Sequence, residues 1–321
     1  MGFRIGRKAP DHIPERISRL RHAPGQGMKE EQVNANANSI PEMARGVVTR
    51  QIDVNGVAVT WHEAGQGNTG TAPIVLVHGS SGSTLGHFGF IFPMLAVNHR
   101  VISLDLAMPV AEGERLELEH IEAQVLAVMK AACGDTPVTL LGFSLGAVVT
   151  AFLAARNPSR VANLVLLAGW AKTDAMMTFF NRTWFALRRA GVPEIADYTI
   201  YAAFGAPFLA DKTVEMMAAG AMPLDAFVDA QMELNARVDI SEQVAAIRAK
   251  TLIIAGTHDT MVAPHHCRQL FGMIDDARYA EVASGHAVVF ERAAEVTRLV
   301  DRFNLDPDEY GPGERIPAIN P

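Results

Sequence analysis

The pentapeptide Gly142-Phe143-Ser144-Leu145-Gly146 lies between an apolar run, Val138–Leu141, and an Ala-rich stretch, Leu145–Arg156. A serine at such a strand-to-helix turn is held in a tight backbone conformation. Glycines two positions either side leave room for neighbouring backbone, and the hydroxyl stands exposed at the carboxyl end of the strand. The helix that follows presents its N-terminus there, which favours developing negative charge. This setting demands a sheet whose strands end at a common edge, with helices behind them.

The rest of the chain meets that demand. Short β-branched runs recur at Val47–Val54, Val57–Glu63, Ile74–Val77, Arg100–Leu104, Val138–Leu141, Asn163–Ala168, Thr251–Ala255 and Arg278–Val282. Asn55-Gly56 joins the first two as a tight hairpin. From Ile74 onward the runs are continuously apolar, the pattern of strands covered on both faces. Helical patterns separate them at Thr84–Ala96, Leu116–Ala132, Leu145–Arg156, His265–Met273 and Ala293–Phe303. The expected fold is α/β, an eight-stranded, mostly parallel sheet flanked by helices.

One interval breaks the rhythm. About 80 residues separate the run ending at Ala168 from the one starting at Thr251, too many for a single crossover. They read as helical and hold ten of the chain's 22 aromatic residues between positions 170 and 240. Met176, Met177, Met216, Met217, Met222 and Met232 add soft, adaptable surface. The expected organisation is an N-terminal extension over 1–46, a core over 47–169 and 241–303, a helical cap over 170–240 inserted after strand 6, and a tail over 304–321.

The extension is basic and carries Pro10, Pro14, Pro24 and Pro41, with one short helix expected near 12–21. It reads as a solvated arm, with a lid or a homodimer clasp as alternatives. The tail is acidic and rich in Pro and Gly, hence peripheral. Apolar residues at 49 % and charged residues at 20 % exclude a disordered or fibrous chain. A net charge of −7 argues against a nucleic-acid partner. Cys133 and Cys267 read as buried thiols of a reducing compartment. Neither a membrane span nor a secretory signal is legible, so a soluble cytoplasmic protein is expected.

A serine needs a positioned base to act as a nucleophile. His286, in Ser284-Gly285-His286, follows the last expected strand and so opens on the same edge as Ser144. The base needs a carboxylate to fix its tautomer. Asp259 lies just past Thr251–Ala255 and completes the chain order Ser, Asp, His. Asp174 and Asp105 are weaker rivals. The Leu145 amide should supply one oxyanion donor, and the loop from His78 to Ser83 the other, from Ser80 or, next, Ser81. His78 is expected to hold that loop, and His258 to be a loop residue. His265, His266 and Cys267 are consecutive, with no carboxylate or thiol spaced to close a site, so no metal is expected. No phosphate-binding glycine motif is present, and no cofactor is expected.

With these parts in place the chain resembles the α/β-hydrolase superfamily over roughly residues 48–303. The resemblance rests on the His78-Gly79 loop, Gly142–Gly146, Gly256-Thr257-His258-Asp259 with Pro264, and Ser284–His286. Leu167–Trp170 and the helical segment after it are similar to enol-lactonase and aminoacrylate-hydrolase relatives. The stretch after Asp105, Leu-Ala-Met-Pro-Val, departs from the Arg-Gly-x-Gly loop of many relatives, as does the long extension. A serine at position 144, where an aspartate would stand, argues against haloalkane dehalogenase or epoxide hydrolase chemistry.

The expected function is a serine hydrolase that cleaves a carboxylic ester, lactone or thioester of a mostly apolar small molecule through an acyl-enzyme. Transfer to another acceptor, C–C cleavage or lyase chemistry with the same three residues is the alternative, and a non-catalytic binding member the third reading. Ser81, Phe143, Trp170, Phe180, Trp184 and Tyr201 are the expected pocket residues.

Overall fold

The computed structural model describes residues 44–67, 70–109, 111, 114–220 and 223–318. The extension expected over 1–46, with its helix near 12–21, falls outside these residues up to position 43.

Strands β1 (Val48–Val54) and β2 (Val57–Ala64) pair antiparallel from Val54 opposite Val57 outward. Asn55 and Gly56 between them both take positive φ, 55° and 85°, as a two-residue type I′ turn requires. Strands β3 (Ile74–Val77), β4 (Val101–Asp105), β5 (Val138–Phe143), β6 (Val161–Leu167), β7 (Lys250–Gly256) and β8 (Ala277–Val282) are mutually parallel. The sheet order is β1-β2-β4-β3-β5-β6-β7-β8, with β2 antiparallel to β4. This is the expected eight-stranded, mostly parallel sheet.

The continuous apolar runs have their explanation in the two faces. Val75 and Val77 of β3 and Ile253 and Ala255 of β7 pack into one core, with α3 (Leu118–Cys133) and α4 (Leu145–Arg156). Ile74, Leu76, Leu252 and Ile254 point the other way, into a core closed by short helices α1 (Thr84–Phe88) and α2 (Ile91–Leu95). Strands with period-two side chains can be apolar at every position only when both faces are covered.

The sequence pattern predicts one helix over Thr84–Ala96, and the structure has two. Pro93 lies in the first turn of α2. In an unbroken helix it would lack an N–H for the Gly89 carbonyl and its ring would clash there. The break before Ile91 removes both penalties.

Between β6 and α10 (Ser241–Val244), five helices are present among the described residues. They are α5 (Ala175–Ala190), α6 (Glu194–Ala203), α7 (Ala206–Leu209), α8 (Val214–Ala218) and α9 (Ala226–Asn235). Trp184, Ile195, Val228 and Met232 form a small core of their own among them. The chain continues through α10 (Ser241–Val244), α11 (Pro264–Met273), α12 (Val288–Glu291) and α13 (Ala293–Leu305). No described helix is long and apolar enough to cross a membrane.

The tail docks on the last strand. Tyr279 of β8 donates its N–H to the Glu314 carbonyl, and Ile316 donates to the Tyr279 carbonyl. Arg278 donates from Nε to the Tyr310 carbonyl. This covers an edge strand that would otherwise present unpaired backbone.

Ten of the twelve α4 residues, Leu145 to Ala154, are buried, so small side chains are needed around most of its circumference. Its first turn lies hard against β3: a Cβ on Gly146 would sit 2.1 Å from the Val77 carbonyl oxygen and 2.7 Å from that of His78. Gly146→Ala is expected to destabilise the fold by about 3 kcal/mol, because the obstacle is backbone and cannot swing aside. That outweighs the gain of up to about 1 kcal/mol from better helix propensity. Urea unfolding of the variant measures the difference.

Candidate active site

Ser144 follows β5 and caps α4 with φ 56° and ψ −122°, a conformation that few non-glycine residues adopt. Strain of this kind persists only where surrounding structure enforces it. Here Phe143 and Leu145 are both buried, and the Ser144 amide donates to the Leu167 carbonyl of β6.

Two loops at the same sheet edge meet this serine. Asp259 lies just beyond β7 and His286 between β8 and α12. The His286 Nε2 is 2.8 Å from the Ser144 Oγ, and its Nδ1 is 2.8 Å from the Asp259 Oδ2. A carboxylate can only accept, so Nδ1 carries the proton and Nε2 is left to accept from the serine hydroxyl. The other carboxylate oxygen, Oδ1, accepts the amides of Met261 (2.9 Å) and Val262 (2.8 Å). Asp259 and His286 are each 5 % exposed.

The two loops lie in direct contact. His258 donates its N–H to the Ser284 carbonyl, and a Cβ on Gly256 would meet the Gly285 carbonyl oxygen at 2.2 Å. The His286 loop is also tied to the helices between β6 and β7. Ala287 donates to the Ala203 carbonyl, and the Glu291 carboxylate accepts the amides of both Gly205 (2.9 Å) and Gly285 (3.1 Å).

The loop after β3 approaches the serine from the other side. A Cβ on Gly79 would lie 2.8 Å from the Ser144 Cβ. The Gly79 peptide is gripped by two histidines. His78 accepts the Leu106 amide at Nε2 (3.0 Å), so its proton sits on Nδ1, which donates to the Gly79 carbonyl (2.8 Å). The Gly79 amide in turn donates to the His87 Nδ1 (3.2 Å). Burial holds His78 below the ordinary histidine range. Burial, followed by neighbouring His78 and His286, pushes His87 down to about 3.

Ser81 (φ 57°) donates its amide to the Gln231 Oε1 at 2.9 Å. The Ser80 and Leu145 amides meet no acceptor among the described residues. The Ser80 Oγ accepts from the Asn235 Nδ2 at 2.9 Å. Gln231 and Asn235 escaped the sequence reading; the signal available was a pair of neutral polar residues at i, i+4 among the apolar residues of α9.

Above Ser144 opens a cavity of about 680 Å³, a size typical of small-molecule sites. Ser80, Ser81, Phe143, Trp170, Phe180 and Trp184 line it. Tyr201 does not, and is 75 % exposed. The α6 residues on the cavity are Ala196, Thr199, Ile200 and Ala203. Tyr201 is one residue past that stripe and so rotated about 100° away from it.

The rival acids have other work. Asp105 accepts the Thr84 amide at 2.6 Å, and Asp174 caps α5 by accepting the Met177 amide at 2.9 Å. The second Asp174 oxygen corrects the sequence reading that no carboxylate approaches the histidine pair. It lies 3.1 Å from the His265 Nε2 and 3.2 Å from the His266 Nε2. Among the described residues these three are the one such group whose ligand atoms could gather on a cation. Cys267 is buried and its thiol is pushed up to about 12, chiefly by burial, so it is inert at neutral pH.

Buried His78 and His266, with half-buried His87, set an acid limit. Burial is the largest cause of the lowered value at His78, His87 and His266. An unfolded chain takes up protons at these positions below about pH 6.5. The folded chain refuses them, at His87 down to about 3. The unfolded state therefore binds more protons across this window, and stability falls as pH drops through it. Urea midpoints are expected to be flat above about pH 7 and to decline steadily from pH 6.5 to 4.

The profile of the alpha/beta hydrolase family matches residues 74–299. The chain is 28 % identical over 247 residues to a pyrrolizixenacetamide deacetylase of Xenorhabdus hominickii, spanning 73 % of this chain and 91 % of that protein. It is 25 % identical to a 2-hydroxy-6-oxo-2,4-heptadienoate hydrolase of Pseudomonas putida, over 80 % of this chain and 96 % of that one. In fold it is similar to the crystal structure of the enol-lactonase from Burkholderia xenovorans LB400. The TM-score is 0.69 at 24 % identity, covering 80 % of this chain and all of that one.

Proposed function

The chain belongs to the alpha/beta hydrolase family, and from that premise we propose that it is a serine hydrolase working through an acyl-enzyme. The substrate is a carboxylic ester, lactone or thioester of a mostly apolar small molecule. The observation that carries the reading is the relay Asp259–His286–Ser144, with both links at 2.8 Å, at the floor of the cavity.

In this reading the Ser144 Oγ attacks the acyl carbon while the His286 Nε2 takes its proton. Asp259 holds the Nδ1 proton and stabilises the imidazolium that forms. The amides of Leu145 and Ser80 donate to the oxyanion; the strained Ser144 turn aims the first and the loop held by His78 and His87 the second before substrate arrives. His286 then protonates the leaving group. A water, deprotonated by the same nitrogen, attacks the acyl-enzyme and frees Ser144. Helices α5 to α9 act as the cap, and their aromatic and methionine side chains hold the apolar part of the substrate.

A fluorophosphonate probe combined with a graded series of aryl esters tests the proposal. Labelling at Ser144 together with release of free acid is the expected result. An unlabelled protein that turns over no ester would overturn it, and acyl transfer to an added alcohol in place of water would redirect it to transferase chemistry.

A further inference from the structure

Which acyl compounds reach Ser144 is a separate question, and its answer rests on the hydrolase reading. The cavity surface is built from apolar side chains and from serine, threonine, asparagine and histidine; among the described residues no Asp, Glu, Lys or Arg lines it. A substrate carboxylate enclosed there would lose its water shell without gaining a counter-ion, a cost that apolar walls do not return.

The polar groups on the walls are mostly spent on the protein itself. The Ser81 hydroxyl donates to the Ser80 carbonyl, the Thr199 hydroxyl donates to the Ile195 carbonyl, and the Ser80 hydroxyl accepts from Asn235. His87 is different. Its Nδ1 accepts a backbone N–H and must therefore be unprotonated. In the neutral ring the proton then sits on Nε2, which meets no acceptor among the described residues although His87 lines the cavity. The ring is fixed by edge contacts with Phe143 at 5.1 Å and Phe290 at 6.3 Å. Phe143 also lies 5.3 Å from His286, ring centre to ring centre, so the donor belongs to the neighbourhood of the reacting atoms.

We propose that this site selects uncharged acyl substrates and that His87 is a specificity-determining residue, its Nε2–H donating to a neutral oxygen of the substrate. The same reasoning sets this chain apart from a relative named for a dienoate, which is a carboxylate.

Two substrate comparisons test it. The first sets 4-nitrophenyl pentanoate against mono-4-nitrophenyl glutarate, which differ by a methyl against a carboxylate at the chain end. The wild-type kcat/KM should favour the neutral ester on the order of 100-fold. A preference under threefold overturns the selectivity.

The second sets 4-nitrophenyl methoxyacetate and 3-methoxypropanoate against butanoate and pentanoate, so that an ether oxygen replaces a methylene. His87→Asn keeps an acceptor for the Gly79 amide but withdraws the Nε2 donor. It should lower the ether-to-alkyl ratio of kcat/KM about tenfold for at least one pair. Reading a ratio cancels any general loss of rate through the Gly79 loop. His87→Phe, which removes both nitrogens, should give the same change and stands in if the asparagine variant does not fold. Ratios unmoved beyond twofold in both variants overturn the role of His87. Failure of the fluorophosphonate to label Ser144, with no ester turned over, would instead remove the hydrolase reading and this inference together. Labelled enzyme without neutral preference removes only the inference.

Discussion

Replacing Ser144 with alanine is expected to lower kcat by about 10⁴–10⁶-fold on any ester that the wild-type protein hydrolyses. Alanine retains the Cβ, so it meets the same positive-φ strain and the same approach of Gly79 as serine does. The fold should therefore survive, and only the nucleophile is lost. His286→Ala should cost a similar amount, since a serine hydroxyl without its base is a weak nucleophile. The two losses should not multiply in the double variant, because the residues act as a unit. Steady-state kinetics with a thermal unfolding control decides the matter: a loss below tenfold in both single variants removes the mechanism.

Asp259→Asn should lower kcat by about 10⁴-fold with little change in stability. The asparagine oxygen can still accept the amides of Met261 and Val262, which Oδ1 accepts in the native protein. That orientation turns the side-chain NH₂ toward His286. A donor opposite Nδ1 drives the ring proton to Nε2, where it faces the serine hydroxyl and cannot accept from it. The variant would fold, bind substrate and carry the wrong tautomer. A kcat loss of less than about 100-fold, with unchanged urea unfolding, would show that the carboxylate does not set the ring.

The sheet and the relay were legible for one physical reason. Ser144, Asp259 and His286 each follow a buried strand by at most four residues. The strands are strongly patterned, and parallel strands deliver such residues to one edge whatever the distance along the chain. The contents of the cavity were less legible. Helices between β6 and β7 have no sheet to fix their phase, so an aromatic count could not separate Trp184, on the wall, from Tyr201, in solvent. Contacts between distant neutral groups left no local trace: Ser81 with Gln231, and Ser80 with Asn235, lie about 150 residues apart. Asp174 and the histidine pair were missed in the same way, being 91 residues apart. Pro93 could have been read, since a proline nine residues into a proposed helix already signals a break.

Glu291 ties the segment before α7 to the loop that carries His286. Because one carboxylate oxygen accepts from both Gly205 and Gly285, a side chain without that oxygen would strand two amides at once and loosen both segments together.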